Sequence, residues 1–193
     1  MPAEKRSYSV LVVSGKKQNA GFLSSMLLSF EYRHIDMVTG ANEAKRKLLM
    51  TRYDMIIVDS PLPDEFGSDF ASDIAFETRA GVMLMVKSEV YDRVCRQVED
   101  YGVLTVPKPV TKQGFYTAVK LVTATSARLL NDEKKITKLQ DKLEEIKLVN
   151  RAKFILIEKH GMTEAEAHRF IEKDAMDSRR SKAQVAKEII DRE

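Results

Sequence analysis

The segment MIIVDSPLPDEFG, residues 55–67, decides the fold of this chain. It opens with an uninterrupted apolar run, a pattern typical of a strand that is buried on both faces of a parallel sheet. The run ends on the carboxylate of Asp59, and Pro61 and Pro63 then favour a loop. Because binding sites in such sheets lie at the carboxyl ends of the strands, Asp59 is the first candidate functional residue.

Similar apolar runs occur elsewhere in the first half of the chain, at residues 9–13, 35–38, 82–86 and 103–106. Between the runs the pattern is helical, with apolar residues at three- and four-residue spacing, at residues 19–30, 41–50, 69–76 and 91–99. Strands that alternate with helices require a parallel sheet covered on both faces. The sequence therefore predicts a doubly wound α/β domain with a five-stranded parallel sheet.

Two motifs in this half resemble the receiver domain of bacterial response regulators, which has a flavodoxin-like fold. In the first motif, Asp59 is followed by Pro63 and Gly67, with the spacing found after the phosphoacceptor aspartate of receivers. In the second, Lys108-Pro109 follows the fifth strand, where receivers have a lysine and a proline that are usually joined by a cis peptide bond. The resemblance implies a receiver domain over residues 1–120, with Asp59 at the phosphoacceptor position.

Four positions of the implied receiver site differ from the receiver pattern: Ser14, Gly15, Val86 and Lys87. The first two stand where receivers have two acidic residues that hold a divalent cation. The last two stand where receivers have a hydroxyl residue and a small residue. Without the cation, little offsets the charge of a phosphate beside Asp59, so ordinary phosphorylation is not expected.

Two hypotheses for Asp59 follow. In one, Asp59 is a residual acceptor, and Lys87 and Lys108 replace the metal charge. In the other, which we prefer, Asp59 forms a buried ion pair with a lysine, and the domain is a scaffold for dimerisation or protein binding. The nearby Asp64 and Glu65 are expected to be solvated loop residues.

A long helix is predicted from about Lys112 onward, with a linker segment at residues 121–150. Apolar residues recur in it with a seven-residue period, beginning at Val122, and charged residues flank them. The earliest members are expected to pack on the sheet, and the later ones to pair two chains in a parallel coiled-coil homodimer: Leu129, Ile136, Leu139, Leu143 and Ile146. The alternative is a single amphipathic helix folded back on its own domain.

The last segment, residues 139–193, predicts three short helices. Gly161 is a helix stop, Thr163-Glu164-Ala165-Glu166 is a capping box, and Ser181 opens the third helix. The pair Ala152-Lys153 and the strings KHGMTEAEA (159–167) and AMDSRRSKAQVAKEII (175–190) resemble the ANTAR domain of transcription antitermination regulators.

The resemblance implies binding to paired stem-loops in messenger RNA leaders, which prevents an overlapping terminator from forming. RNA loops are recognised through stacked bases and phosphate contacts. The candidate RNA-binding residues are basic: Arg151, Lys153, His168, Arg169, Arg179, Arg180 and Lys182. Phe154 and Phe170 are expected in the core, because they lie on apolar helical faces.

Composition excludes several other classes. The chain has one cysteine, Cys95, and three histidines without metal-ligand spacing, so neither a disulfide nor a metal site is expected. It also lacks a phosphate-binding glycine loop and a nucleophile motif, so we expect no enzyme and no cofactor. Without a long apolar run or a signal peptide, it is expected in the cytoplasm and not in a membrane.

A net charge of +3 is too small to indicate nucleic acid by itself. Two alternatives to RNA binding therefore stay open. One is a DNA-binding response regulator, because receivers often precede helical DNA readers. The other is a protein-interaction adaptor. A sensor or partner protein at the receiver is compatible with all three.

Overall fold

The computed structural model describes residues 8–192. Residues 1–7 and 193, which belong to the predicted ranges 1–120 and 139–193, lie outside the described residues. The chain divides into two compact units, Met1–Leu130 and Asn131–Glu193, and each is described by itself. No helix within the described part is long and apolar enough to cross a membrane.

Five strands of the first unit form one parallel sheet in the order β2-β1-β3-β4-β5. Their bounds are β1 Ser9–Ser14, β2 His34–Val38, β3 Met55–Asp59, β4 Gly81–Lys87 and β5 Leu104–Lys108. The strands are short and rich in apolar residues, and the central ones are almost completely buried because helices cover both faces. The predicted fold class is confirmed.

The helices fall into two layers. On one face of the sheet lie α2 (Ala41–Met50), α3 (Ser68–Glu77) and α4 (Tyr91–Val98), and on the other lie α1 (Lys17–Ser29) and the start of α5 (Lys112–His160). Each layer buries a separate apolar cluster against the sheet. Val122 of α5 is 5% exposed and belongs to the second cluster. The first member of the seven-residue series therefore packs on the sheet, as predicted.

The strand register brings the candidate residues of the first unit together. Ser14 pairs with Asp59 across β1 and β3, and Lys87 pairs with Lys108 across β4 and β5. All four residues are the last of their strands, so they lie at the same edge of the sheet. The peptide bond between Lys108 and Pro109 is cis, as the receiver resemblance implied.

The second unit contains the end of α5 together with α6 (Glu164–Ser178) and α7 (Lys182–Arg192). Gly161, with φ +65°, follows the last residue of α5, and α6 begins with the predicted capping box. The Thr163 side chain accepts from the backbone N–H of Glu166, and the Glu166 carboxylate accepts from the backbone N–H of Thr163. The end of α5 and the starts of α6 and α7 therefore lie where the sequence predicts, whereas α6 continues to Ser178, into the segment 175–180 that was expected to be a turn.

A small apolar core joins these helices, and alanines form much of its centre: Val149, Ala152, Leu156, Ala167, Ile171, Ala175, Val185 and Ala186. The prediction that Phe154 and Phe170 lie in this core was wrong, because their side chains are 71% and 45% exposed. Alanines let the helices approach closely, which leaves little room for a phenyl ring between them. Phe154 also follows the buried Ala152 by two residues, which turns it roughly 200° away around the helix.

Gly81 provides a test of how α5 packs on the sheet. A Cβ at Gly81 would lie 2.4 Å from Val122 Cγ1 and 2.4 Å from Ser126 Oγ. We expect Gly81→Ala to lower the free energy of unfolding by about 1–3 kcal/mol, because the stiff valine must move. Gly21→Ala is the control: the site lies inside α1 with no atom within 4 Å of the added Cβ. The control should be stabilised by up to about 1 kcal/mol. Urea denaturation measures both, and equal stability of Gly81→Ala and the parent chain would contradict this packing.

Candidate functional site

The carboxylate of Asp59 is buried at the end of β3 and accepts three hydrogen bonds. Lys108 Nζ lies 2.5 Å from Oδ1, while Ser14 Oγ and Asn19 Nδ2 donate to Oδ2 over 2.8 and 2.9 Å. The Lys108 ammonium also donates to the carbonyl oxygen of Ser60 over 2.5 Å. Asp59 is 5% exposed, and one lysine neutralises its buried charge. This geometry corresponds to the preferred hypothesis of a buried ion pair.

The other receiver-site positions do not add charge around Asp59. Val86 is completely buried, and the Lys87 side chain, which is exposed, forms no hydrogen bond or ion pair with any residue between 8 and 192. Gly15 lies against Pro63, where a Cβ would come within 2.8 Å of the proline ring. Gly15 therefore has no room for an acidic side chain unless the loop at Pro63 moves.

Magnesium, which the receiver resemblance implies, does not fit the residues at this edge. Receivers hold the ion with acidic side chains after the first strand. Here those positions are Ser14, whose hydroxyl is already bonded to Asp59, and Gly15, which has no side chain. Across residues 8–192, no group of three or more potential His, Cys, Asp or Glu ligands comes together. Asp59 is left as one carboxylate that is paired with Lys108.

Asp64 has a structural role that the sequence analysis missed. Its carboxylate accepts from the backbone N–H groups of Ala41 and Asn42, over 3.0 and 2.9 Å, and so caps α2 from a different loop. The hydrogen bond from Asn42 N–H is the largest cause that holds the pKa of Asp64 below its ordinary value. The stability from this cap is present above the unfolded-state pKa near 4 and is lost as the pH falls below it.

Asp64 is exposed in a loop, as expected, but the expectation did not include its role as a helix cap. Glu65 also accepts a hydrogen bond, from the backbone N–H of Phe70 over 3.2 Å. A sequence signal for Asp64 existed: the residue before α2 is Gly40, which has no side chain to cap the helix, so its first N–H groups needed an acceptor from elsewhere.

Three of the lysine and arginine candidates for RNA binding are paired with carboxylates of the second unit. Lys153 Nζ lies 3.1 Å from Glu164 Oε1, and Lys182 pairs with Glu172. Arg180 pairs with Glu188 and lies 3.7 Å from Asp174 Oδ1. These pairs connect α5 with α6 and the end of α6 with α7, so the three cations brace the helices of the unit.

These ion pairs lower the pKa values of two of the carboxylates that take part in them. A hydrogen bond from Lys182 is the first cause of the lowered pKa of Glu172, and one from Arg180 is the first cause for Glu188. His168 lies 3.3 Å from Glu172 and shares that carboxylate with Lys182. All of these groups are at the surface, so each pair contributes modestly to stability.

The other three candidates have no such partner. Arg151, Arg169 and Arg179 are exposed and form no hydrogen bond or ion pair within the part of the chain that the structure describes. Arg179 lies just after α6 with φ +54°, a left-handed conformation that ends the helix. Ion pairing thus separates the basic residues of this unit into two groups that residue type alone does not distinguish.

Several solved structures that are similar in fold to this chain are receiver domains by their names. A response regulator receiver domain from Clostridium thermocellum covers 63% of this chain and 98% of its own length, with a TM-score of 0.56 and 18% identity. This likeness concerns the fold alone. The ANTAR domain matches residues 137–190 of the second unit. The second unit therefore contains an ANTAR domain. The ANTAR domain follows a domain of receiver fold, as the sequence motifs predicted.

Two curated relatives of this chain are regulators by their names. The transcriptional regulatory protein PdtaR of Mycobacterium tuberculosis is 29% identical over 169 residues, which cover 88% of this chain and 82% of the relative. The aliphatic amidase regulator of Pseudomonas aeruginosa is 28% identical over 102 residues, which cover 50% of this chain and 48% of the relative.

The apolar stripe predicted for dimerisation is exposed along α5. Each member is about half exposed or more: Leu129 63%, Ile136 55%, Leu139 63%, Leu143 57% and Ile146 49%. The ANTAR core is formed by a different face of the same helix, which includes Val149 and Leu156. The stripe is therefore available to a partner, and the dimer stays a prediction.

The geometry of Asp59 yields a prediction for phosphorylation. Because Ser14 and Gly15 supply no metal ligand beside Asp59, acetyl phosphate with Mg²⁺ should not modify this chain. Intact-protein mass spectrometry measures the outcome, with a receiver that retains both acidic residues as the positive control. A phosphorylated form that is absent in Asp59→Asn would show that the prediction is wrong.

Proposed function

We propose that this chain is an RNA-binding transcription antiterminator, which binds paired stem-loops in messenger RNA leaders as a dimer and prevents the terminator hairpin from forming. The ANTAR domain and the two regulator relatives support a role in transcription antitermination. The observation that carries RNA binding is the set of three exposed arginines that form no salt bridge in the described ANTAR domain, of which Arg169 has only a longer-range attraction to Glu166. The role is binding, without catalysis, and its compartment is the cytoplasm, where nascent RNA is made.

Arginine suits this task for physical reasons. Its guanidinium stays charged at every physiological pH, binds phosphate with two parallel hydrogen bonds and stacks on bases. Phosphate contacts release condensed counterions, which provides much of the affinity for RNA. Arg151, Arg169 and Arg179 can make such contacts without first breaking an ion pair, whereas Arg180 and Lys182 would lose one.

The exposed stripe on α5 supports dimerisation as part of the same proposal. Apolar side chains with a seven-residue period pair two helices in a parallel coiled coil, which buries surface that is now in contact with water. Asn150 is the next member of the series, and a polar residue there fixes the register of the two chains. A dimer carries two ANTAR domains, so binding one hairpin raises the effective concentration of the second domain near the other hairpin.

The receiver fold serves as a scaffold for input from a sensor or partner protein in this proposal. Asp59 is paired with Lys108, and Ser14 and Gly15 stand at the two positions that hold the cation in receivers. Input therefore comes from a protein contact or from the amount of the chain in the cell, without phosphorylation. A DNA-binding regulator and a protein adaptor are the competing functions that the first experiment distinguishes.

Titration with RNA tests the proposal. The full chain should bind a two-hairpin leader RNA more tightly than a single hairpin or duplex DNA of equal length, and the affinity should fall steeply with salt. Arg151→Ala, Arg169→Ala and Arg179→Ala should each weaken binding and reduce the salt slope by about 1. Arg93→Ala in the receiver unit is the control, because Arg93 is exposed and lies outside the ANTAR domain.

The outcomes separate the competing functions. Tighter binding to duplex DNA would indicate the DNA-binding regulator, and equal weak binding to all three nucleic acids would indicate the protein adaptor. If Arg180→Ala and Lys182→Ala reduced the salt slope as much as the three unpaired arginines do, the division by ion pairing would be wrong.

Sedimentation equilibrium tests the dimer. Leu139→Asp with Leu143→Asp should give a monomer, because two charges per chain in the paired stripe cost far more than a coiled coil of a few heptads gains. Lys138→Asp is the matched control on the opposite face of the same helix and should stay dimeric. A monomeric parent chain, or a dimeric Leu139→Asp, Leu143→Asp variant, would contradict the coiled-coil proposal.

A further inference from the structure

Phe154 is an exposed phenylalanine in the last part of α5, within the ANTAR domain. Its side chain is 71% exposed, although Ala152 and Leu156 on either side of it are buried in the ANTAR core. The chain therefore presents a whole aromatic ring to solvent from a rigid helix. A ring held in this way loses little further freedom when a flat partner stacks on it.

Arg151 lies one helical turn before Phe154, on the same face of α5. It is one of the three arginines without a partner in the described residues. A single exposed apolar side chain is ordinary on a protein surface. An exposed ring next to an unpaired guanidinium is a more specific combination, because unpaired RNA bases are bound by stacking on aromatic rings while cations hold the neighbouring phosphates.

The dimer stripe does not account for Phe154. After Ile146, the next members of the seven-residue pattern are Asn150 and Lys153, both polar. The Lys153 side chain is 15% exposed and paired with Glu164 of the same ANTAR domain, so it does not extend an apolar contact to a second chain. The apolar stripe thus ends before Phe154, at the point where the ANTAR core begins with Val149.

We propose that Phe154 is a base-stacking residue of the RNA-binding surface, with Arg151 on the phosphate beside the stacked nucleotide. The ligand is an unpaired base in the loop of an RNA hairpin. This inference rests on the proposed function and adds to it the residue that distinguishes a loop from a duplex, since only an unpaired base exposes a face for stacking.

Three substitutions of Phe154 test the inference by titration with hairpin RNA. Phe154→Ala should weaken binding roughly 5- to 150-fold, the loss that corresponds to one stacked base, with no change in the salt slope. Phe154→Tyr should keep the affinity, and Phe154→Leu, which is apolar but has no aromatic face, should not. Arg151→Ala should instead reduce the salt slope. Phe76→Ala, at an 84% exposed phenylalanine of the receiver unit, is the control and should bind like the parent chain.

Abasic RNA identifies the stacked nucleotide. When loop bases are removed one at a time, one abasic position should weaken the parent chain and abolish the difference between it and Phe154→Ala. Full affinity of Phe154→Leu or of Phe154→Ala would overturn the inference and leave RNA binding intact. Conversion of Phe154→Ala to a monomer in sedimentation would also overturn it, because Phe154 would then belong to the dimer contact. Failure of the parent chain to bind any hairpin would overturn the proposed function together with this inference.

Discussion

The ion pair between Asp59 and Lys108 is the central interaction at the carboxyl edge of the sheet in the first unit. A buried carboxylate at the end of β3 is costly unless it is neutralised and fully hydrogen-bonded. Here a lysine from the end of β5, a serine from the end of β1 and an asparagine from α1 provide those bonds. The hydrogen-bonding capacity of Asp59 is therefore used by side chains of the same unit. The receiver fold is retained without the acidic metal ligands that its phosphate chemistry needs.

The same principle, pairing of charges within the fold, divides the basic residues of the ANTAR domain. Lys153, Arg180 and Lys182 form ion pairs with carboxylates of the same domain, and these pairs connect its helices. Arg151, Arg169 and Arg179 do not. Net charge is a poor guide to the function of such a chain, because acidic residues cancel the basic ones in the sum while leaving particular guanidinium groups unpaired at the surface.

The sequence predicted the strands and helices well because their signals are local. The apolar run before Asp59 and the capping box at Thr163 each specify an element from a few adjacent residues. The helix cap by Asp64 and the exposure of Phe154 were missed, because both depend on residues that are far apart in the chain. Asp64 meets Ala41 only after two loops come together, and Phe154 is excluded from the core by how closely three helices pack. The pairing of Arg180 with Glu188 could not be predicted from the sequence for the same reason.

The difference between paired and unpaired arginines helps to locate an RNA-binding surface in a small, highly charged helical domain. An arginine that binds phosphate gains the same interaction whether or not it was paired before, but a paired arginine must first give up its carboxylate and leave that charge beside the incoming phosphate. Arg180 would leave Glu188 and Asp174 facing the RNA backbone, and the repulsion offsets part of the gain. Arg179, its neighbour in sequence, leaves no uncompensated carboxylate behind. In the proposed function, two adjacent arginines therefore have different tasks, one within the fold and one toward the RNA, and the positions of the surrounding carboxylates distinguish them.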